Sequence, residues 1–257
     1  MKESRKRVVL ITGGSSGIGF EMARLMLEED SKVIICGRSQ EKLNDAKSKL
    51  PELNVFQCDI SSGEERSALA ERLNRDFPDI NMLMNNAGIV KRFLMETTGD
   101  ITECIKAEWE TNYFAPVILA QLLMPALSRN SGTVVNISSG LAHLPLSIEP
   151  NYCATKAAMH SITQSMRIRY AKKGVNVVEI LYPEVNTPFQ EGHATKRAIS
   201  PEMAAKEALK RLNRGQAEIH VGMSRMINLF SRIIPMRGVN MINGFITEKE
   251  EEILRER

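Results

Sequence analysis

Tyr152 and Lys156 stand four residues apart in the stretch Asn-Tyr-Cys-Ala-Thr-Lys. On a helix that spacing stacks the two side chains on one face, about one turn apart. A phenol titrates near pH ~10 and is a poor acid or base at neutral pH. A neighbouring ammonium favours the phenolate and lowers that value, so the pair makes a usable proton donor and acceptor. The spacing alone equally describes a boundary tyrosine beside a solvated lysine. Residues upstream separate the two readings.

Arg7–Thr12 (Arg-Val-Val-Leu-Ile-Thr) is a continuous apolar run, as a central parallel strand requires. It leads into Gly13-Gly14-Ser15-Ser16-Gly17-Ile18-Gly19, and Phe20–Glu29 then has helical apolar spacing. A strand, a glycine-rich turn and a helix make a phosphate site. Glycines let the backbone turn tightly and approach a pyrophosphate, while the helix start offers free N–H groups and the positive end of a dipole. The anchors are Gly13, Gly17 and Gly19, a Gly-x3-Gly-x-Gly spacing that differs from the GxGxxG pattern.

A second strand, Lys32–Cys36, ends in Gly37-Arg38-Ser39. An acidic residue ~20 residues past the glycines would hold a ribose 2′-hydroxyl in an NAD site. Here Gly37 stands at that place, and the Arg38 guanidinium beside it suits a 2′-phosphate. That points to NADP(H); the plainer alternative makes Arg38 a surface charge opening the next helix. A strand at Asn54–Cys58 delivers Asp59, either an acceptor for an adenine amino group or a cap for the following helix. Asn81–Met84 ends in Asn85-Asn86-Ala87-Gly88, whose small and amide side chains suit close packing beside a cofactor. Asn112 lies in a long helical stretch, Thr98–Ala126, where it either kinks the helix near Pro116 or serves a site. Gly132–Ser138 is a strand bringing Ser138, Ser139 and Gly140 to the same edge, where one serine donates to a substrate oxygen or satisfies loop backbone.

The positioning elements follow in order. A helix at about Asn151–Lys173 carries Tyr152 and Lys156, a strand at Val175–Leu181 precedes Tyr182–Pro188, and Phe189–Ser200 is polar and irregular, as a lid is. Pro201–Leu212 is a helix and Ala217–Val221 a last strand. Six or seven strand–helix alternations without a linker predict a single doubly wound α/β domain of Rossmann type over residues 1–257. Its cofactor half spans about residues 5–130 and its catalytic half about 131–222, with an extension at 223–257. Ser224–Phe245 is apolar with arginines interspersed, reading as a subunit contact or pocket wall, with a membrane-surface helix as the rival. Residues 248–257 read as a solvated tail.

Composition narrows the partners. A net charge of +3, with dispersed basic residues, argues against nucleic acid; the one basic cluster, Lys2–Arg7, reads as a solvated lead-in to the first strand. No stretch is apolar enough to span a bilayer, and the N-terminus has no apolar signal core. Four isolated cysteines read as free thiols in a reducing cytosol. The four histidines, 143, 160, 193 and 220, lack metal-ligand spacing, and no metal site is expected.

Together these stretches resemble the classical short-chain dehydrogenase/reductase family over about residues 5–222. Thr12–Gly19 matches its TGxxxGxG motif, Asn85–Gly88 its NNAG and Tyr152–Lys156 its YxxxK, while Ser139 has the family's offset from the tyrosine. The resemblance implies Tyr152 as general acid/base, Lys156 on the nicotinamide ribose and depressing the tyrosine pKa, Ser139 polarising a carbonyl, and Asn112 supporting a proton relay. It further implies Gly13, Ser15, Ser16, Gly17, Ile18 and Gly19 around the phosphates, Asp59 and Ile60 at the adenine, and Asn86, Ala87 and Gly88 along the adenosine ribose. Pro183, Val185 and Thr187 would meet the carboxamide and phosphate end. Glu184 stands where the family commonly has glycine, a carboxylate that could alter pocket polarity. Stretches 136–146, 153–166, 218–222 and 234–243 resemble the DltE-like bacterial branch, which implies a cytoplasmic location.

The expected activity is hydride transfer between nicotinamide C4 and a small-molecule carbonyl or secondary alcohol, with NADP(H) preferred and NAD(H) the alternative cofactor. A homodimer or homotetramer is carried over from the family. The substrate pocket is expected at Leu94, His143, Leu144, Pro145, Phe189 and Met223. The rival from another class is a non-catalytic, cofactor-sensing protein on the same fold, whose mark would be a damaged tetrad.

Overall fold

The apolar run at Val8–Thr12 forms β1, and every residue in it is buried in this computed structural model. The structure describes residues 6–96, 99–190, 195–246, 251, 252 and 254. Six more strands follow: β2 (Lys32–Gly37), β3 (Asn54–Gln57), β4 (Met82–Asn85), β5 (Thr133–Ser139), β6 (Asn176–Tyr182) and β7 (Glu218–His220). All pair in parallel, in the order β3-β2-β1-β4-β5-β6-β7. The strand order reverses between β1 and β4, so a crevice opens beyond their C-terminal ends.

Both sheet faces are covered, and alternate residues of each strand feed different cores. Val9 and Ile11 join Val33, Ile35, Met84 and Ile180 beneath α1 (Gly17–Glu28), α2 (Gln40–Lys49) and α8 (Pro201–Leu212). Val8 and Leu10 join Ile34, Leu83, Val134 and Val177 on the opposite face. They pack there against α3 (Gly63–Asp76), α5 (Ala115–Leu122), α6 (Met124–Arg129) and α7 (Pro150–Ala171). Fully burying one such Leu, Ile or Val contributes about 1.5–3 kcal/mol, which is why these strands read as unbroken apolar runs. Serines cap α2, α3 and α8: the hydroxyls of Ser39, Ser62 and Ser200 accept from the amides of Lys42, Glu65 and Met203.

The predicted elements lie within two residues of the observed ones, except for α1, which begins at Gly17 rather than Phe20, and in one long stretch. Thr98 is outside the described residues, and the helix there begins as α4 (Thr102–Trp109). It passes through one wide π turn at Glu110–Phe114 before continuing as α5. Pro116 follows directly on the π turn, in the first turn of α5. The apolar stretch beyond β7 folds as α9 (Ser224–Ile233) and α10 (Pro235–Asn243).

Two expectations need correction. Leu254 belongs to the stretch expected to be a solvated tail, yet it is buried against Leu94 and Ile148; the other tail residues described are 251 and 252. Of the basic lead-in, residues 2–5 lie outside the described residues, and Arg7 is tied down by Glu29 at 2.7 Å and Asn213 at 2.6 Å.

Candidate active site

The C-terminal ends of β1, β2, β4, β5 and β6 open onto one cleft of about 1080 Å³. Its floor is the turn between β1 and α1. Gly13 and Gly17 take φ values of +65° and +56°, the left-handed region that glycine enters without penalty. Gly19 has an ordinary φ, but a Cβ there would stand 2.5 Å from the Asn86 amide nitrogen and 2.6 Å from the Gly13 carbonyl oxygen. Asn86 explains the crowding. Its Nδ2 donates to the carbonyls of Thr12 (2.9 Å) and Gly13 (3.2 Å), while the Thr12 hydroxyl accepts from the amides of Asn86 and Ala87. The NNAG stretch therefore pins the glycine turn from below.

Gly13, Ser15, Ser16, Gly17 and Ile18 line this floor, and Gly19 supports it from beneath. Ser16, at the start of α1, makes no side-chain capping bond. Arg38 lies at the end of β2, where its exposed guanidinium has no partner among the described residues, with Ser39 and Lys42 beside it along the cleft. Sequence reasoning missed Lys42, although its place three residues past the Ser39 cap is a readable sign. Asp59 and Ile60 also line the cleft. Asp59 is not the helix cap: its Oδ1 accepts from the Ser61 amide and hydroxyl, at 2.9 and 2.7 Å, while Ser62 caps α3. Uncapped helix amides, a turn that tolerates no Cβ and two cations where a ribose would end fit a dinucleotide phosphate chain.

The reacting groups stand deeper. Ser139 ends β5; its hydroxyl accepts from the Leu141 amide (3.1 Å) and stands near enough to the Tyr152 phenol to oppose the rise of its pKa. Ser138 also lines the cleft, with its hydroxyl buried and unpartnered. Tyr152 lies in the first turn of α7, whose start is anchored by Asn151 to the buried Glu108 carboxylate and to Trp109. Lys156, buried like Tyr152, donates to the Ile137 carbonyl at 2.9 Å and lies 5.6 Å from the phenol ring centre.

Burial pushes the Tyr152 phenol up, and the Glu149 carboxylate adds to the effect while Ser139 opposes it. Burial pushes the Lys156 ammonium down to about 8, opposed by Glu179. Burial therefore outweighs the depression expected from Lys156. Desolvation of a phenolate outweighs a cation whose hydrogen bond is spent on a backbone carbonyl.

Asn112 sits at the centre of the π turn. Its side chain accepts from the Ile89 amide (2.9 Å) and donates to the Ile89 carbonyl (2.9 Å) and the Thr155 hydroxyl (3.2 Å). The wide turn serves a site: it clamps the segment after β4 to α7. Gly88 passes so close that a Cβ would be 3.3 Å from the Asn112 carbonyl oxygen. Asn112 itself does not line the cleft.

Of the expected substrate-pocket residues, Leu144, Phe189 and Met223 line the cleft, the Phe189 ring 5.8 Å from that of Tyr152. Leu94, His143 and Pro145 do not. Leu94 is buried beneath Leu254, Pro145 faces solvent, and His143 turns away toward His160 and His220. The apolar wall comes instead from Met226, Ile227 and Phe230 of α9 and from Met241 and Ile242 of α10. Pro183, Val185 and Thr187 line the far end, with Thr187 leaning against Gly17. Glu184 lines it too, yet its carboxylate is occupied by Thr195, accepting from the amide at 2.7 Å and the hydroxyl at 2.5 Å. With the Val185–Ile199 bridge it ties the chain after β6 to the incoming end of the lid, whose residues 191–194 lie outside those described. A second hollow, of about 780 Å³, lies at the opposite sheet edge around Val8, Lys32 and Asn81, remote from all these groups.

Such a sheet, with a glycine cradle at its first crossover, defines a Rossmann-type dinucleotide-binding protein. The model of the short chain dehydrogenase family matches residues 7–198, and the chain belongs to that family of NAD(P)-dependent oxidoreductases. It is 40% identical over 217 residues to the uncharacterized oxidoreductase DltE of Bacillus subtilis, covering 82% of this chain and 86% of that one. It is 30% identical over 212 residues to an uncharacterized oxidoreductase of Staphylococcus aureus, covering 79% and 89%. Among solved structures, a short chain dehydrogenase from Burkholderia cenocepacia in complex with NADP aligns at a TM-score of 0.81 and 27% identity, covering 90% of this chain and 95% of that one. A short-chain dehydrogenase from Sphingobium yanoikuyae in complex with NADPH shares the fold at 0.77, with 23% identity over 94% and 97%. No described helix is long and apolar enough to cross a membrane.

Proposed function

We propose that this protein interconverts a carbonyl and a secondary alcohol, with NADP(H) as its preferred cofactor and Tyr152 as general acid/base. The observation that carries the reading is the meeting of Ser139, Tyr152 and Lys156 in the cleft that begins at the glycine cradle. Residues 13–18 would hold the phosphates, and Arg38 and Lys42 the 2′-phosphate. The dinucleotide, when bound, supplies the hydride that no amino acid can.

The protein's own part is position and protonation. Burial keeps Tyr152 a neutral phenol, so at neutral pH it holds a proton to give to a substrate oxygen. The Ser139 hydroxyl, beside that phenol, would share the same oxygen. Lys156 remains largely charged at pH 7 with a pKa of about 8, and its charge favours anionic oxygen nearby. Asn112 acts through others, fixing the segment at Ile89 and the turn of α7 that bears Thr155. The apolar wall of α9 and α10 excludes water and suits a substrate with an apolar body. A homo-oligomer fits the family and rests on that alone.

Turnover of NADPH on a panel of aldehydes and ketones tests the proposal. Tyr152→Phe is expected to lower kcat by about 100-fold to 10,000-fold while NADPH still binds. An unchanged kcat overturns the role of Tyr152, and an intact protein that binds neither NADPH nor NADH favours the non-catalytic reading.

A further inference from the structure

Three histidines scattered along the chain meet on one face of the sheet, behind the catalytic cleft. His160 comes from α7, His220 from β7 and His143 from the turn after β5. Their rings nearly touch: centroids are 4.7 Å apart for His143 and His160, and 5.7 Å for His143 and His220. Two carboxylates stand among them. Glu179 of β6 and Glu218 of β7 are direct register partners, so both leave the sheet on the same side.

That juxtaposition is costly. Like charges directly opposite on neighbouring strands repel, and a buried carboxylate needs a charged partner. Glu179 is fully buried, and its Oε1 has no hydrogen bond. The nearby permanent cations act on these carboxylates through space but give their hydrogen bonds elsewhere: Lys156 donates to the Ile137 carbonyl, and Arg167 to the carbonyls of Val177 and Ala217. What faces the carboxylates is imidazole. His160 Nδ1 lies 2.8 Å from Glu179 Oε2, and the donor atoms of His160, Glu179 and Glu218 all lie within 4.8 Å of one another. Within this triad one imidazole faces two carboxylates, one of them with an oxygen that has no hydrogen bond, and a divalent ion would balance both.

We propose that His160, Glu179 and Glu218 bind a divalent transition-metal ion, for which zinc is the best match. One imidazole and two carboxylates form a borderline donor set of three, which zinc takes at about 2.0–2.2 Å, leaving a fourth position. His143, whose Nε2 is buried and unpartnered, packs edge-on against the His160 ring. Outer partners are already in place. His220 bonds Glu218 at 2.8 Å, and the Gln164 amide, 2.9 Å from Nε2 of His160, supports a ligating His160 once it turns its oxygen to accept from that nitrogen. Binding displaces the proton shared by His160 and Glu179 to solvent. The spacing of the histidines, 17 residues and then 60, hid the site from sequence inspection.

The test uses the full chain, freed of metal by a chelator, with zinc titrated against a chromophoric chelator and cobalt(II) as a visible-absorption probe. One equivalent per chain is expected, with tetrahedral cobalt bands and a melting temperature that rises on adding zinc. His160→Gln and Glu218→Gln, both at partly exposed positions, are each expected to weaken zinc at least about 30-fold while circular dichroism is unchanged. Glu179 is left intact because it is wholly buried. No stoichiometric zinc, or zinc bound equally well by both variants, overturns the proposal. Because metal binding is read without substrate or NADPH, the result is independent of the reaction proposed above.

Discussion

Gly19→Ala probes the cradle where the structure is least forgiving. A methyl group there meets the Asn86 amide nitrogen at 2.5 Å, the Gly13 carbonyl oxygen at 2.6 Å and the Gly13–Gly14 backbone beyond. The backbone cannot yield without moving the turn, so the Asn86 amide must, and it then loses its bonds to Thr12 and Gly13. Overpacking of about 1–3 kcal/mol and two hydrogen bonds of about 1 kcal/mol each together come to roughly 3–5 kcal/mol. At about 2–4 °C per kcal/mol for a chain of this size, the melting temperature falls by roughly 6–20 °C. NADPH affinity falls at least about tenfold, since the displaced amide and turn frame the phosphate cradle. Gly99→Ala is the control, because a Cβ there meets nothing within 4 Å. Calorimetric melting and an NADPH fluorescence titration read both effects. A Gly19→Ala protein that melts and binds like Gly99→Ala would refute the claim that close approach, rather than flexibility, selects glycine here.

Three further outcomes follow from the geometry. Arg38→Asp should weaken NADPH about 10-fold to 100-fold, the worth of a charge-assisted bond, and leave NADH equal or tighter; titrating both cofactors against the variant decides it. The rate of carbonyl reduction should fall as pH rises through about 8, because the Lys156 ammonium loses its proton there while the Tyr152 phenol keeps its own; a flat kcat/KM profile from pH 7 to 9 would contradict this. Leu254→Ala should lower stability by about 2 kcal/mol, seen as a lower melting temperature, whereas a solvated tail would show no change.

What could be read from the chain was local. The strand, glycine turn and helix at residues 8–28 are contiguous, and Tyr152 and Lys156 share one helix face by spacing alone. Their pKa values were not legible, because burial comes from the walls around them and outweighs the charge one turn away. The pocket wall was misread at Leu94, His143 and Pro145 because a loop's side-chain direction depends on what packs against it, here Leu254, two other histidines and solvent. Lys42, Glu179 and Glu218 carry no motif; only the register of β6 on β7 and the first turn of α2 place them.

The π turn at Glu110–Phe114 also limits how this protein can be altered. It holds one residue more than the helix around it needs. Deleting a single residue there would restore an unbroken α-helix and leave α4 and α5 nearly in their present phase, because the wide turn absorbs its extra residue locally. The loss would fall on Asn112, whose bonds to Ile89 and Thr155 depend on the wider turn. A substitution raising helix propensity pulls the same way, toward a more regular and less functional rod. Transplants and chimaeras of this segment should therefore keep its five-residue length together with Asn112 and the packed rings of Tyr113 and Phe114.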